Sequence, residues 1–212
     1  MLSRKVRIAV LVSGGGTNLQ ALLDAQDRGE IKNGKITCVI SSNPNAYALT
    51  RAANHGVETE VIRRRDFAAF DDYDAALTAL LQQKNADLIV LAGFMTILGS
   101  RVIRAFENRI INIHPALIPS FCGEGYYGLR VHEEALKKGV KVTGATAHFV
   151  NEICDGGPII IQKAVEVRSG DTPAILQKRV MEQAEWQILP KAVALFCEDK
   201  IKVTDGSTEI LD

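Results

Sequence analysis

Apolar strand-like runs alternate with segments of helical spacing through the first half of this chain. Val6–Val12 is an almost uninterrupted apolar run, the pattern of a strand buried on both faces. Further strands are predicted at 36–40, 58–62, 88–91 and 109–113, and helices at 18–28, 46–55, 66–85 and 97–106. This alternation predicts a doubly wound, mostly parallel α/β sheet with helices on both faces, a Rossmann-like arrangement.

The pattern changes after residue 114, where the strands are no longer separated by regular helices. A helix at 131–138 is followed by strands at 144–150 and 158–167, a long helix at 172–196 and a short strand at 200–203. The tail 205–212 is expected to be loosely held. The sequence therefore predicts one domain over 1–212, with an N-terminal half at about 1–108 and a mixed C-terminal extension at about 109–204.

Charge and composition restrict the classes of partner. The chain has 212 residues, of which 47% are hydrophobic, and its 25 basic residues balance its 25 acidic ones. A neutral chain offers no bulk field to a nucleic acid or an anionic membrane, so neither is an expected partner. No segment has the pattern of a membrane span or a signal peptide, and the four cysteines lack metal-binding spacing. A cytoplasmic protein with reduced thiols and no metal site is expected.

An Asn and a His stand two residues apart at the end of the fifth predicted strand, in Asn112-Ile113-His114-Pro115. Side chains alternate along a strand, so Asn112 and His114 are expected to point to the same face. Pro115 cannot donate to the ladder, which ends the strand where these polar groups lie. An amide and an imidazole at a strand end suit an active site, although the same residues could simply cap a turn.

The glycine-rich segment 13–18, SGGGTN in one-letter code, joins the first strand to the first helix. Glycines let backbone N–H groups turn toward a ligand, and a helix N-terminus favours an anion. The segment lacks the lysine of a Walker A loop, and Leu19 stands where a dinucleotide fingerprint has its third glycine. A monophosphate therefore fits best; the alternative is a tight turn with Thr17 or Asn18 as the helix N-cap.

Asp155 ends a second polar loop and is followed by Gly156, Gly157 and Pro158. A carboxylate near an imidazole raises the pKa of the ring and fixes its orientation, so Asp155 is a candidate partner for His114. The same four residues also suit an ordinary hairpin turn, and the sequence leaves both interpretations open.

Segment 93–98, GFMTIL, follows the fourth predicted strand. Apolar residues there would normally belong to the core, yet at a strand C-terminus they could wall a pocket for a flat aromatic ligand. In doubly wound sheets, ligands bind beyond the carboxyl ends of the strands, where 13–18, 93–98 and 112–114 are all expected. The convergence of the three segments carries more weight than any one motif.

Three other residues of interest are expected to be structural. Cys38 and Cys197 lie in apolar segments and are expected in the core as small hydrophobic side chains. His148 lies in a predicted strand, two residues after Thr146, and is expected to be packed and hydrogen-bonded rather than catalytic.

Four segments together resemble the folate-dependent glycinamide ribonucleotide formyltransferases of purine synthesis. They are SGGGTNLQ at 13–20, LAGFM at 91–95, NIHPALIP at 112–119 and DGGP at 155–158. The resemblance covers about residues 6–203 and implies the formyltransferase fold. It also implies the activity, transfer of a formyl group from 10-formyltetrahydrofolate to the amine of 5-phosphoribosylglycinamide in IMP synthesis.

The resemblance also implies roles for individual residues. The catalytic trio would be Asn112, His114 and Asp155. The residues implied for the phosphate and ribose of the substrate are Gly15, Gly16, Thr17, Asn18 and Glu185. The residues implied for the folate are Met95, Thr96, Ile97, Leu98, Asn112, Val150, Asn151, Glu152, Ile153 and Cys154.

The implied chemistry agrees with the residues. When the substrate amine attacks the formyl carbon, a tetrahedral oxyanion forms, which the Asn112 amide and a protonated His114 would stabilise. His114 would also move a proton. Asp155 is expected to keep His114 partly charged near neutral pH, and the reaction requires no metal.

The chain departs from the family pattern at the folate site and leaves alternatives open. Thr96 stands where the common pattern has an Arg, and Phe70 stands where many members have an Arg that contacts the folate's glutamate tail. One of the three arginines at 63–65 could substitute, and segment 122–129 is longer than in short members. The alternative functions are a formyltetrahydrofolate deformylase and a catalytically silent nucleotide-binding relative. The protein is expected to be a monomer or a homodimer.

Overall fold

A computed structural model of the protein describes residues 4–211. The strands are Val6–Val12 (β1), Gly34–Ser41 (β2), Glu58–Val61 (β3), Leu88–Leu91 (β4), Ile110–His114 (β5), Val142–Phe149 (β6), Ile159–Glu166 (β7), Ile201–Thr204 (β8) and Ser207–Ile210 (β9). The helices are Thr17–Asp27 (α1), Tyr47–Asn54 (α2), Phe70–Gln83 (α3), Ser100–Ala105 (α4), Leu129–Lys138 (α5), Pro173–Val180 (α6) and Trp186–Cys197 (α7).

Seven strands form one sheet in the order β3-β2-β1-β4-β5-β6-β7. The five strands β1 to β5 are parallel, whereas β6 and β7 are antiparallel to their neighbours. The order of the strands reverses between β1 and β4, the switch point at which doubly wound sheets bind ligands. The structure confirms a mostly parallel, doubly wound sheet with a mixed C-terminal extension.

Helices cover both faces of the sheet, which explains why β1 is apolar on both sides. Ile8 and Val10 are fully buried in a core cluster with α1 and α7, and Ala9 and Leu11 are buried in a second cluster with α3 and α4. Each face of the strand is therefore removed from water, as expected for a central parallel strand.

Two helices begin later than the sequence predicts. Helix α3 was expected from residue 66, but residues 64–66 form a 3₁₀ turn and the helix starts at Phe70. Helix α4 was expected from residue 97 and starts at Ser100. The Asp74 carboxylate on α3 accepts the Arg101 N–H at 2.9 Å, so the start of α4 is fixed by a side chain from another helix.

The last helical region and the tail also differ from the sequence-based predictions. The helix predicted at 172–196 is divided by a π-helical turn at Met181–Glu185. The tail was expected to be loosely held, but β8 and β9 form a hairpin, and the Thr208 hydroxyl on β9 donates to the Ile159 carbonyl on β7. The hairpin turn contains Asp205 and Gly206, both left-handed, and an Asp-Gly pair is a strong hairpin signal.

Candidate active site

The glycine-rich loop lies between the end of β1 and the start of α1. Gly16 is the N-cap residue of α1 and adopts a left-handed conformation with φ of 72°. Within residues 4–211 no side chain caps the helix, so the alternative that Thr17 or Asn18 serves as N-cap is wrong. Two features require a glycine at this position. Its φ is positive, and a Cβ at residue 16 would lie only 2.6 Å from the Cβ of Ala48.

The backbone of the loop is oriented by hydrogen bonds to its carbonyl groups. The carbonyls of residues 14, 15 and 16 accept from Ala48 N–H at 3.1 Å, Arg51 Nε at 2.8 Å and Gln20 N–H at 2.9 Å. Within residues 4–211, the amides of the same three glycines donate to no protein group. Occupied carbonyls and open amides next to a helix N-terminus form a concavity suited to an anion such as a phosphate.

Asn18 and Glu185, which are far apart in the sequence, meet beside this loop. Asn18 Nδ2 donates to Glu185 Oε2 at 2.7 Å, and the Asn18 Oδ1 atom is buried without a hydrogen-bond partner in the described chain. Burial raises the pKa of the Glu185 carboxyl. Glu185 ends the π-helical turn, a distortion that recurs at functional sites.

Asp155 joins Asn112 and His114 at the carboxyl end of β5. Its Oδ1 atom lies 3.4 Å from Asn112 Nδ2, and its Oδ2 atom lies 3.4 Å from His114 Nδ1. As predicted, the Asn and His side chains point to the same face of the strand. Asp155 is left-handed with φ of 53°, and such strained residues are concentrated at functional sites.

Close packing fixes the loop that carries Asp155. A Cβ on Gly157 would lie 1.9 Å from the Phe149 carbonyl oxygen, and one on Gly156 would lie 2.5 Å from the Ile153 side chain. These glycines are needed because the backbone passes close to its neighbours, rather than for a left-handed turn. The segment joins the antiparallel strands β6 and β7, so the hairpin interpretation is confirmed, and the functional interpretation stays a prediction.

His148 is a fourth member of the polar cluster, and its place there was missed. As expected, it is packed and hydrogen-bonded, with Nδ1 2.7 Å from the Phe149 carbonyl. However, its Nε2 atom lies 3.2 Å from Asn112 Nδ2 and 3.6 Å from Asp155 Oδ1. The antiparallel register pairs Asn112 with His148 and His114 with Thr146, so the two-residue spacing on β6 matches that on β5. That matched spacing was the signal available in the sequence.

Burial sets the charge of His114 in the free protein. The ring is 3% exposed, and burial lowers its pKa more than the Asp155 carboxylate and the Phe121 carbonyl raise it. The net direction of this shift is opposite to the one expected from the Asp155 carboxylate alone. The Asp155 carboxyl is also buried, yet the His148 hydrogen bond and the His114 ring hold its pKa below the ordinary value.

Both nitrogens of the His114 ring face hydrogen-bond acceptors. Nε2 lies 2.8 Å from the Phe121 carbonyl, and Nδ1 lies 3.4 Å from the Asp155 carboxylate. A neutral imidazole has one N–H and can donate to only one of them, whereas an imidazolium can donate to both. Uptake of a proton by the ring would therefore form an ion pair with Asp155.

Two segments of the implied folate site expose apolar side chains. Met95 and Ile97 are 55% and 72% exposed, and Ile153 in the facing polar loop is 68% exposed. Leu98, in contrast, is buried in the core cluster with α3 and α4. The Met95 N–H donates to Ser13 Oγ at 2.9 Å, which links this segment to the glycine-rich loop.

The remaining residues implied for the folate lie in the same two segments. Thr96 is half-buried, Val150 packs against the α3/α4 core, and Glu152 pairs with Arg104 on α4 at 3.2 Å. Asn151 Oδ1 accepts the Ile153 N–H at 3.0 Å, and Cys154 is exposed.

One of the three arginines at 63–65 lies beside Phe70. The Arg64 guanidinium is 5.7 Å from the centre of the Phe70 ring, whereas Arg63 pairs with Asp66. Within residues 4–211, no cluster of three His, Cys, Asp or Glu side chains could hold a metal ion. No helix in the same part of the chain is long and apolar enough to cross a membrane.

Residues 6–193 match the model of the formyl transferase family. The chain is 40% identical to the phosphoribosylglycinamide formyltransferase of Haemophilus influenzae, over 94% of this chain and 91% of that relative. It also matches trifunctional purine biosynthetic proteins, of which it spans a fifth or less. The human one, adenosine-3, is 40% identical over 96% of this chain and 19% of its own length.

Solved structures agree with these sequence matches. The crystal structure of glycinamide ribonucleotide transformylase 1 from Symbiobacterium toebii superposes with a TM-score of 0.93 at 42% identity, covering 100% of this chain and 96% of that chain. Together with the full-length sequence match, this likeness shows that the chain belongs to the formyl transferase family, among the phosphoribosylglycinamide formyltransferases.

Proposed function

We propose that this protein transfers the formyl group of 10-formyltetrahydrofolate to the amine of 5-phosphoribosylglycinamide, a step of de novo purine synthesis. The relatives that match over nearly their full length are named for this transferase, which favours it over a deformylase. The observation that carries the proposal is the Asp155 carboxylate, which joins the Asn112 amide to the His114 imidazole.

The two parts of the ribonucleotide match two groups of atoms at the sheet edge. The open amides of the glycine-rich loop suit its phosphate, because backbone N–H groups at a helix N-terminus bind anions. The free Asn18 Oδ1 atom and the Glu185 carboxyl are acceptors for the ribose hydroxyls. A substrate held in this way would extend its amine toward the end of β5.

The transfer itself requires stabilisation of one negative charge and movement of one proton. The amine attacks the formyl carbon, a C–N bond forms, and the carbonyl electrons move onto oxygen. The Asn112 amide donates a hydrogen bond to this oxyanion, and the His114 ring donates one after it has been protonated. Such donors are more effective in a buried site than in water. The intermediate then collapses, and the bond to N10 of the folate breaks.

His114 begins this sequence as a neutral base. It takes up the proton that the attacking amine loses, and the resulting imidazolium is stabilised by the adjacent Asp155 carboxylate. The proton then passes to N10 of the leaving tetrahydrofolate. The proposed reaction uses the formyl folate as cosubstrate. Asn112 and His114 supply the hydrogen bonds that stabilise the oxyanion, so the proposed mechanism needs no metal.

The exposed side chains of Met95, Ile97 and Ile153 are proposed to hold the pterin ring of the folate. These side chains are apolar and exposed, and flat heterocycles are bound by apolar surfaces with a few polar contacts. Arg64 lies over the ring of Phe70, the position from which family members contact the glutamate tail, and is proposed to contact that tail instead. We place the reaction in the cytoplasm and expect a monomer or a homodimer.

The test follows the fate of the formyl group. The purified protein is given 10-formyltetrahydrofolate with and without 5-phosphoribosylglycinamide, and tetrahydrofolate and formylated product are both measured. Release of tetrahydrofolate that requires the ribonucleotide is the expected result. Release without it would instead identify a deformylase, and no release in either mixture would identify a silent relative. The His114→Ala variant is the matched control for catalysis by this site.

A further inference from the structure

Helix α2 packs directly behind the glycine-rich loop and contributes one cation to it. Arg51 donates from Nε to the Gly15 carbonyl at 2.8 Å and from Nη1 to the Gln20 side-chain oxygen at 3.0 Å. Its guanidinium also lies 5.0 Å from the centre of the Tyr47 ring. Two directional hydrogen bonds and one aromatic contact hold the planar guanidinium in a single orientation.

This contact determines which way the loop backbone faces. A peptide carbonyl and the amide that follows it point in nearly opposite directions, so holding the Gly15 carbonyl against α2 directs the Gly16 N–H away from it. The Ala48 N–H holds the Gly14 carbonyl in the same way at 3.1 Å. Arg51 therefore helps to preorganise the open amides of the anion site.

Arg51 also brings a positive charge to the loop. Among residues 4–211, it is the one cationic side chain that hydrogen-bonds to segment 13–18. The other ionisable group at the loop is the buried Glu185 carboxyl, which would repel a phosphate when ionised. A phosphate dianion bound here by neutral amides alone would have no counter-charge, whereas Arg51 places one immediately behind the loop.

We infer that Arg51 is the positioning residue for the substrate phosphate: it fixes the loop through the Gly15 carbonyl and balances the phosphate charge. It acts through the loop, not on the reacting atoms. It thereby selects a phosphorylated glycinamide riboside over the unphosphorylated one. This inference rests on the proposed function, because it concerns the same ribonucleotide.

Three substitutions separate the hydrogen bond from the charge. Arg51→Met removes both, Arg51→Gln retains a donor for the Gly15 carbonyl, and Arg51→Lys retains the charge without the forked geometry. We expect Arg51→Met to raise the KM for 5-phosphoribosylglycinamide roughly tenfold, with kcat and the KM for the folate changed less than about twofold. Each partial replacement should recover part of the loss. Arg28→Met is the matched control, because Arg28 is exposed and, in the described part of the chain, its side chain pairs with Glu30 alone.

A binding measurement keeps this test separate from the proposed function. Calorimetric titration with ribose 5-phosphate reports on the loop without formyl transfer, and we expect the Arg51→Met protein to bind it roughly tenfold more weakly. If the wild type binds ribose 5-phosphate but transfers no formyl group, the proposed function fails and the inference stands. Equal affinity in wild type and Arg51→Met, or a loss confined to kcat, would overturn the inference. Should Arg51→Met not fold, the same comparison is decided with Arg51→Gln.

Discussion

Two regions lie on the same sheet edge but are built in different ways: the glycine-rich loop 13–18, our proposed phosphate loop, and the proposed catalytic cluster of Asn112, His114 and Asp155. The loop is one continuous segment that would bind through its backbone amides, and α1 and α2 fix it by local hydrogen bonds. The cluster consists of side chains from β5 and the Asp155 loop, which are far apart in the sequence, and His148 on β6 contacts it. Binding by backbone tolerates changes in side chains, whereas catalysis by a buried side-chain cluster depends on each member.

The largest expected effect is at the catalytic cluster. His114→Ala removes the proton acceptor and one oxyanion donor, so kcat should fall roughly 10³-fold. The KM for the ribonucleotide should change little, because the loop is intact. Steady-state kinetics measure both, and a melting curve provides the folding control. A folded variant with wild-type kcat would exclude His114 from the reaction.

The next largest effect is expected at Asp155 when its negative charge is removed. Asp155→Asn should lower kcat roughly 10²-fold, because the imidazolium formed on His114 loses its counter-charge. The carboxylate raises the pKa of His114, so its removal lowers that pKa further, and the acidic limb of the pH–rate profile should move to lower pH. A limb that stays in place, or moves to higher pH, would contradict this assignment.

Two glycines test the loop as a backbone site. Gly16→Ala places a Cβ 2.6 Å from that of Ala48 at a left-handed residue, so the KM for the ribonucleotide should rise roughly tenfold. A Cβ on Gly15 meets nothing within 4 Å of protein, so Gly15→Ala serves as the steric comparison, with a smaller rise in this KM. Initial rates at varied ribonucleotide concentration measure both. Equal KM values in the two variants would remove the steric basis of the loop geometry.

The smallest effect is expected at the turn of the C-terminal hairpin, which joins β8 to β9. Gly206 has φ of 77°, so Gly206→Ala should lower the free energy of unfolding by about 1 kcal/mol. No change in kcat or KM is expected, since β8 and β9 form a separate sheet. Urea denaturation with parallel kinetics measures both quantities. A loss of activity in the folded variant would mean that the hairpin contributes to the site.

Local patterns predicted most of the strands and the side chains that share a face of β5. The apolar run of β1 is buried on both faces, and the end of β5 brings Asn112 and His114 to one side, as strand alternation requires. These features follow from residues that are close in sequence. The Asp205-Gly206 hairpin was also local, and its turn signal was missed.

Features that depend on contacts between residues distant in sequence could not be predicted from local patterns. The pairing of His148 with Asn112 depends on the register between β5 and β6, and the start of α4 depends on Asp74 from α3. The charge of His114 depends on burial by the whole fold, which outweighs the nearby carboxylate. The position of Glu185 around the helix axis depends on a π-helical turn, which the periodicity of the sequence does not indicate.

The central claim is that Asp155 and His114 act as one catalytic unit, separate from the phosphate loop. A double-mutant cycle of formyl transfer, with His114→Ala, Asp155→Asn and the double variant, tests it most directly. We predict that the double variant is about as slow as His114→Ala alone, because Asp155 has no function without the ring. Losses that multiply in the double variant would contradict the claim, since they would mean that the two residues act independently.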